Sequence, residues 1–198
     1  MLFRSRAVDV PRFAYTFTVP GVFAQDDVEI ATWLSVSASA RLDHHSAYGT
    51  FLSPRASALV RAGAWTSRVS IGTGFFGPSP LTEETEAAGL ARLQIPTRLE
   101  AEEGRSASVD VSRTDGPLSS TVTVFTSCIL HPIDVDRSHG LILTNRATPA
   151  TNVGVELLGT LRHEPYALTA SYTYVEARET EHGIRRQAPL TPRHSAGL

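Results

Sequence analysis

The stretch WLSVSASARLD, residues 33–43, alternates apolar and polar side chains along its length. Its apolar members are Leu34, Val36, Ala38, Ala40 and Leu42. Because side chains of a strand point to opposite faces in turn, the stretch predicts a strand with one apolar and one polar face. In a soluble sandwich the apolar face lines the core. In a membrane barrel that face contacts lipid and the polar face lines the lumen, so the fold depends on which face is inside.

The composition of the chain permits one domain and excludes several functions. It has 198 residues, 41% of them hydrophobic and 19% charged, with a net charge of -2. This charge gives no reason to expect a nucleic-acid partner. The single cysteine, Cys128, excludes an internal disulfide, and the histidines lack the spacing of a metal site. No apolar run approaches the length of a transmembrane helix, whereas barrel strands of about ten residues remain possible.

The same alternation recurs along most of the chain. It predicts strands at 19–30, 33–43, 54–62, 65–76, 98–113, 118–131, 141–162, 166–178 and 188–198. The stretch LTEETEAAGLARL, residues 81–93, is rich in Glu, Ala and Leu and predicts a short helix within a loop. The beginning, MLFRSRAVDVPRF, lacks the pattern of a secretory signal peptide, so we expect a fragment if the protein belongs in an outer membrane.

The connections between the predicted strands alternate between short and long. Short turns are predicted at 31–32, 63–64, 114–117 and 163–165, and longer loops at 44–53, 77–97, 132–140 and 179–187. An up-and-down outer-membrane barrel has this alternation, whereas a Greek-key sandwich does not require it. Several predicted strands also exceed the usual five or six residues. The pattern therefore favours a membrane barrel.

Aromatic and charged residues fit the same architecture. Aromatic side chains fall near predicted strand ends, where barrels carry aromatic girdles: Trp33, Trp65, Phe75, Phe76 and Tyr166. Charged side chains fall on the polar faces of their strands: Arg41, Arg55, Arg68, Asp110, Glu156 and Arg162. In a barrel these charges face the lumen, and in a sandwich they face solvent.

Three long stretches carry a resemblance to a known family. Residues 19–90 contain Arg41-x-Asp43, then Pro54-Arg55, then a Gly-Phe-x-x-Pro loop beginning at Gly74. Residues 99–125 form a Glu-rich strand, a turn and a strand that ends in Phe. Residues 143–198 contain an Asn, a Gly-Val-Glu, a Tyr-Thr-Tyr and a Pro-Arg-His in that order. From about residue 19 onward the sequence thus resembles the middle to late β-barrel of the TonB-dependent receptors. Phe76 departs from the Arg that commonly follows Gly-Phe in that family.

The resemblance implies a fold class and a function. The fold class is all-β, an antiparallel up-and-down transmembrane β-barrel segment of about nine long strands. Such receptors close with about 22 strands around a plugged lumen. We therefore expect residues 1–198 to be a partial barrel domain, incomplete and open, without the plug, the first strands or the C-terminal strands. The implied function is uptake of a scarce nutrient, such as a ferric siderophore or cobalamin, across the outer membrane of a Gram-negative bacterium.

The implied partners and contact residues follow from the same likeness. The partners are the nutrient ligand, outer-membrane lipid and the TonB system acting through a plug; no cofactor and no enzymatic activity are expected. Ligand contacts are expected from the extracellular loops, above all from 77–97. The candidate ligand-binding residues are His44, His45, Tyr48, Phe76, Glu83, Glu84 and Glu86. Neighbouring strand histidines point to opposite faces, so His44 and His45 do not suit one metal ion.

Two alternatives from other classes remain open at this point. One is a soluble extracellular β-sandwich that acts as a binding module, with the apolar face as its core. The other is a hydrolase at the rim of a barrel, built from Asp43 and His44 with a serine within hydrogen-bond reach.

Overall fold

A computed structural model describes residues 2–5, 13–80, 93–136, 140–181, 184–189 and 191–198. The strands in these ranges are β1 (Leu2–Ser5), β2 (Tyr15–Thr18), β3 (Gly21–Ala31), β4 (Leu34–His45), β5 (Gly49–Ala62), β6 (Trp65–Phe76), β7 (Leu93–Gln94), β8 (Glu102–Asp115), β9 (Leu118–Leu130), β10 (Ile133–Asp136), β11 (Leu141–Asn145), β12 (Ala150–His163), β13 (Tyr166–Glu181), β14 (Ile184–Gln187) and β15 (His194–Gly197). These residues include no helix that is both long and apolar enough to cross a membrane.

One antiparallel sheet dominates the described part of the chain. Its strand order is β3-β4-β5-β6-β8-β9-β12-β13-β14, and β15 pairs with β13 beside β14. Its long strands, β3 to β6, β8, β9, β12 and β13, have 11 to 16 residues each. Each long strand pairs with the long strand before it and the long strand after it, so the path is a meander. The prediction of an all-β, up-and-down sheet of about nine strands that is not closed into a barrel is confirmed.

The two ends of the sheet carry different connections. At one end, which we call the turn end, two-residue turns lie at 32–33, 63–64, 116–117 and 164–165. Gly63 and Gly116 have φ angles of 58° and 54°, a conformation that glycine adopts without a steric penalty. At the other end, the loop end, the connections are a turn at 46–48 and the long segments 77–101 and 131–149. The predicted alternation of short and long connections holds at 77–101 and 131–149, whereas the loop predicted at 179–187 is occupied largely by the end of β13 and by β14.

The loop predicted at 44–53 is wrong in length, because pairing of β4 with β5 continues to His45 and Gly49. Polar side chains at 43–46 and 50 gave these residues the composition of a loop. The hydrogen bonds of an antiparallel ladder join backbone groups, so they continue past polar side chains. Three residues, 46–48, make the connection.

The two faces of the sheet differ as the quoted stretch predicts. Across β4 and β5, Val36 lies opposite Ala58 and Leu42 opposite Leu52, whereas on the other face Ser39 lies opposite Arg55. The apolar face stays open to the surroundings within the described part of the chain: Leu42 is 46% exposed and Ile71 is 59% exposed. A sandwich core would bury such residues. The sandwich alternative is therefore wrong for this sheet.

The buried apolar residues of the described chain gather mainly at the loop end. β11 pairs in parallel with β7 and antiparallel with β10, and we call these three strands the loop sheet. Leu93, Leu99, Leu141 and Leu143 form its core and are at most 6% exposed. The loop sheet joins the two long connections, one from β6 to β8 and the other from β9 to β12.

The side chain of Asn145 fastens the two connections to each other. Its Oδ1 accepts a hydrogen bond from the backbone N–H of Glu100 at 2.7 Å. Its Nδ2 donates to the carbonyl oxygens of Glu100 at 3.0 Å and His131 at 2.6 Å. Arg146 then joins Asp134 of β10 to Glu179 of β13 through ion pairs of 2.5 and 2.6 Å. The loop sheet is thereby attached to the main sheet.

Several predicted elements differ from the structure at the loop end. The strand predicted at 141–162 divides into β11 and β12, because residues 146–149 include Pro149, which has no backbone N–H for a ladder. The strand predicted at 188–198 is limited to β15, and the loop predicted at 132–140 contains β10. The helix predicted at 81–93 falls outside the described residues except for Leu93, which begins β7.

Candidate ligand-binding cavity at the loop end

A cavity of about 790 Å³ opens on the polar face of the sheet near its loop end. It lies over β3 to β6 and is bounded on one side by β2. Among its lining residues are Phe17, Arg41, Asp43, His45, Arg55 and Phe76. This volume falls in the range of small-molecule sites, and the lining combines aromatic rings with two cations.

Arg41 and Asp43 are neighbours on the polar face of β4 and form an ion pair. The Nε of Arg41 donates to Oδ2 of Asp43 at 2.7 Å. The Asp43 side chain is 4% exposed, whereas that of Arg41 is 55% exposed. The carboxylate thus holds a guanidinium that stays accessible to an anion.

Two glycines allow charged side chains to lie close to the sheet. A Cβ at Gly21 of β3 would come within 2.1 Å of Oδ1 of Asp43. A Cβ at Gly72 of β6 would come within 3.0 Å of Cγ of Arg55. The stem of Arg55 therefore lies close over Gly72 of β6, and Arg55 is among the residues that line the cavity. Any larger residue at Gly21 would displace the Asp43 carboxylate.

Aromatic rings form a continuous wall beside these charges. Tyr15 stacks on Phe17 with ring centroids 4.5 Å apart, and Phe17 lies 4.8 Å from the ring of His45. His45 lies a further 4.8 Å from Tyr48. His45 is 5% exposed, and its Nδ1 accepts a hydrogen bond from the N–H of Ala47 at 3.2 Å. This wall gives a flat, polarisable surface on which a planar ligand can stack.

The candidate residues from the sequence separate into three groups. His45 and Phe76 line the cavity, and Tyr48 lies beside His45 on a smaller cavity of about 330 Å³. His44 belongs to the opposite face of β4, where its Nδ1 lies 2.9 Å from Oγ1 of Thr50. Glu83, Glu84 and Glu86 lie outside the described residues.

The alternation of side chains between the two faces of β4 also bears on the hydrolase alternative, because Asp43 and His44 lie on opposite faces. The carboxylate of Asp43 is bonded to Arg41 on the polar face, whereas His44 is bonded to Thr50 on the other face. The two side chains therefore do not form the acid–base pair that a rim hydrolase requires. That alternative is wrong in its proposed residues.

Several residues of the cavity were not among the sequence candidates. Tyr15 and Phe17 belong to β2, which was not predicted although YTFT alternates large and small polar side chains at 15–18. Arg41 and Arg55 were placed on the polar face but not assigned to a ligand. The signal for both was present: a strand end carries Arg and Asp two residues apart, and the next strand carries an Arg on the same polar face, opposite Ser39.

The chemistry of the cavity suits an anionic ligand with planar groups. The accessible guanidinium of Arg41 and the guanidinium of Arg55 can neutralise negative charge. Burial raises the pKa of the nearby Tyr48 phenol, an effect that the positive charge of Arg98 opposes. Tyr48 thus stays a neutral hydrogen-bond donor at ordinary pH. Within the described ranges, no group of three or more His, Cys, Asp or Glu side chains is placed to hold a metal ion.

Comparisons with known proteins agree with this architecture. A family model described as the β-barrel of TonB-dependent receptor-like proteins matches residues 4–198. A search of curated proteins finds no match.

Several solved structures with a similar fold are named as siderophore or iron receptors or transporters. The siderophore receptor PirA from Pseudomonas aeruginosa superposes with a TM-score of 0.68 at 22% identity, over 82% of this chain and 32% of that one. A mutant of the ferric enterobactin receptor PfeA from the same organism gives 0.71 at 15% identity, over 92% and 30%. PirA from Acinetobacter baumannii gives 0.71 at 14% identity, over 89% and 30%.

The chain therefore spans about a third of the length of the structures that it matches. At these identities the likeness establishes the fold, and the family match over residues 4–198 establishes the kinship. The chain belongs to the TonB-dependent receptor family, as a part of its β-barrel.

Proposed function

We propose that this chain forms part of the barrel wall of an outer-membrane receptor that imports a scarce nutrient. The observation that carries the proposal is the division of the sheet into an exposed apolar face and a polar face with a charged, aromatic cavity. In this proposal the apolar face contacts outer-membrane lipid and the polar face lines the lumen. Import is driven by the TonB system through a plug that contacts the polar face.

The loop end is the extracellular end in this proposal. Barrels of this class have short turns on the periplasmic side and longer loops outside. The four two-residue turns then lie in the periplasm, and the loop sheet and the cavity open toward the medium. The aromatic residues Trp33, Trp65 and Tyr166 at the turn end fit the inner girdle, and each is at least half exposed.

The ligand that best suits the cavity is a ferric siderophore. Such ligands carry negative charge and, in catecholate members, flat aromatic rings, which Arg41, Arg55 and the ring wall can bind. Several structural neighbours are named as siderophore receptors. His45, Tyr48 and Phe76 are proposed contacts beside the two arginines. His44, Glu83, Glu84 and Glu86 stay predictions from the sequence, and cobalamin is the second ligand class.

The proposed site is tested by ligand titration of Arg55→Ala. Ferric enterobactin and cobalamin serve as probes, added to the chain in detergent micelles and followed by calorimetry. Loss of a charge-assisted hydrogen bond weakens binding by about tenfold or more. We expect this weakening for ferric enterobactin with Arg55→Ala, and a further loss as salt is raised.

The matched control is Arg68→Ala. Arg68 lies on the same polar face, opposite Asp110 of β8, but not in the lining of the cavity. It should leave the affinity within about twofold of the wild type. Equal effects of the two substitutions, or no binding of either probe, would show that the cavity is not the ligand site.

A further inference from the structure

The turn 46–48 touches the long connection between β6 and β8 at both of its described ends. At one end, the hydroxyl of Tyr48 donates a hydrogen bond of 2.6 Å to the carbonyl oxygen of Pro78. At the other end, the guanidinium of Arg98 donates to the carbonyl oxygen of Ala47. One three-residue turn thus holds two points that are 20 residues apart in the sequence.

The ring of Tyr48 also contacts the loop sheet. It packs against the core of Leu93, Leu99, Leu141 and Leu143. On its other side it lies 4.8 Å from the ring of His45, which lines the large cavity. Tyr48 is therefore in contact with the cavity wall, with the start of the connection and with the loop sheet.

The first residue of the connection, Gly77, packs closely against His45 and Tyr48. A Cβ at Gly77 would lie 2.7 Å from Nε2 of His45 and 3.1 Å from Cδ2 of Tyr48. Real Cβ atoms essentially never lie within 3.0 Å of such an atom, so a larger residue at Gly77 would force the ring of His45 or the chain at Gly77 to shift. The absence of a side chain at Gly77 lets the carbonyl of Pro78 come within reach of the Tyr48 hydroxyl.

From these contacts we infer that Tyr48 is a positioning residue that sets the place of the loop sheet relative to the ligand cavity. The hydroxyl holds the first residues of the connection, which follow β6. The ring packs against the core of the loop sheet, where the last residues of the connection lie. This role is separate from direct ligand contact and does not depend on the proposed function, because every partner is a residue of this chain.

Hydrogen exchange of the full chain in detergent micelles tests the inference with Tyr48→Phe. This substitution keeps the ring and removes only the hydroxyl. Peptides spanning 93–101 report on the loop sheet, since the amide of Glu100 is protected by Asn145. Loss of one hydrogen bond should raise exchange there about fivefold. Peptides from β8 and β9 should exchange at the wild-type rate.

Gly77→Ala supplies a second variant with a specific expectation. If both residues act through the same contact, their effects on exchange at 93–101 are not additive, and the double variant matches the stronger single one. Tyr166→Phe is the matched control, because Tyr166 lies at the turn end and is 76% exposed. It should change nothing at 93–101.

Three results would overturn the inference. The first is wild-type exchange at 93–101 in Tyr48→Phe. The second is an equal rise in β8 and β9, which would mean a general loss of stability. The third is full additivity with Gly77→Ala. None of these results involves a ligand, so the inference and the proposed receptor function can fail independently.

Discussion

Two adjacent aspartates of β3 lie on opposite faces of the sheet, so substitutions at them can show which face contacts lipid. Asp26 lies opposite Ala38 on the apolar face, whereas Asp27 belongs to the polar face and accepts a hydrogen bond from Gln25 at 2.9 Å. They have the same chemistry and nearly the same position along the strand. Only the face differs, and in the proposed barrel wall only the apolar face contacts lipid.

Asp26→Ala should therefore stabilise the chain in lipid vesicles. A carboxylate on the lipid face is destabilising, by less than the cost of an arginine there, so its removal should gain about 1 kcal/mol in the free energy of unfolding. Urea titration followed by circular dichroism measures this gain. Asp27→Ala is the control and should be neutral or destabilising. A gain from Asp27→Ala and none from Asp26→Ala would mean that lipid meets the polar face.

At the scale of elements, the long strands were predictable and the loop sheet was not. The alternation in WLSVSASARLD depends on two faces with different surroundings, and the same period runs through β5, β6, β8 and β9. β10 and β11 are short, and β7 has two residues. Their order comes from contacts between two distant connections, such as Asn145 with Glu100, and no local pattern contains such contacts.

The cavity likewise contains residues that a local sequence pattern could place and residues that only contacts between distant segments bring together. The charges of Arg41 and Arg55 could be placed on the polar face from the sequence. The ring wall could not, because Phe17 meets His45 across 28 residues of sequence through the packing of β2 on β4. The burial of His45, which the sequence placed in a loop, has the same cause.

The loop sheet should melt separately from the main sheet when its core is opened. Leu143 is fully buried, so Leu143→Ala should cost about 2–5 kcal/mol locally. Hydrogen exchange should accelerate in β10 and β11 and stay unchanged in β5 and β6. Ile142→Ala, one residue away and only partly buried, should have a smaller effect. Equal acceleration throughout the chain would show that the two sheets unfold as one unit.

At the scale of the molecule, the described sheet has an apolar face and two strand edges that meet no other strand of the described chain. β3 forms one edge, and β14 and β15 form the other. Exposed edges of long strands pair with other chains, and large apolar patches associate in water. The family relationship explains both features, because in a complete barrel the edges are closed and the apolar face meets lipid.

The 198-residue chain should therefore aggregate in plain buffer and fold in a membrane mimic. We expect sedimenting aggregates without detergent, and a β-type circular dichroism spectrum with a cooperative transition in micelles. Val69→Arg, on the apolar face, should lower stability in micelles by about 2–4 kcal/mol, while Ser70→Arg on the polar face should not. A monodisperse chain with a cooperative melt in buffer would contradict the barrel-wall proposal. In that outcome the apolar face would have to be covered within the chain or by a second copy, and the lumen assignment of the cavity would be lost with it.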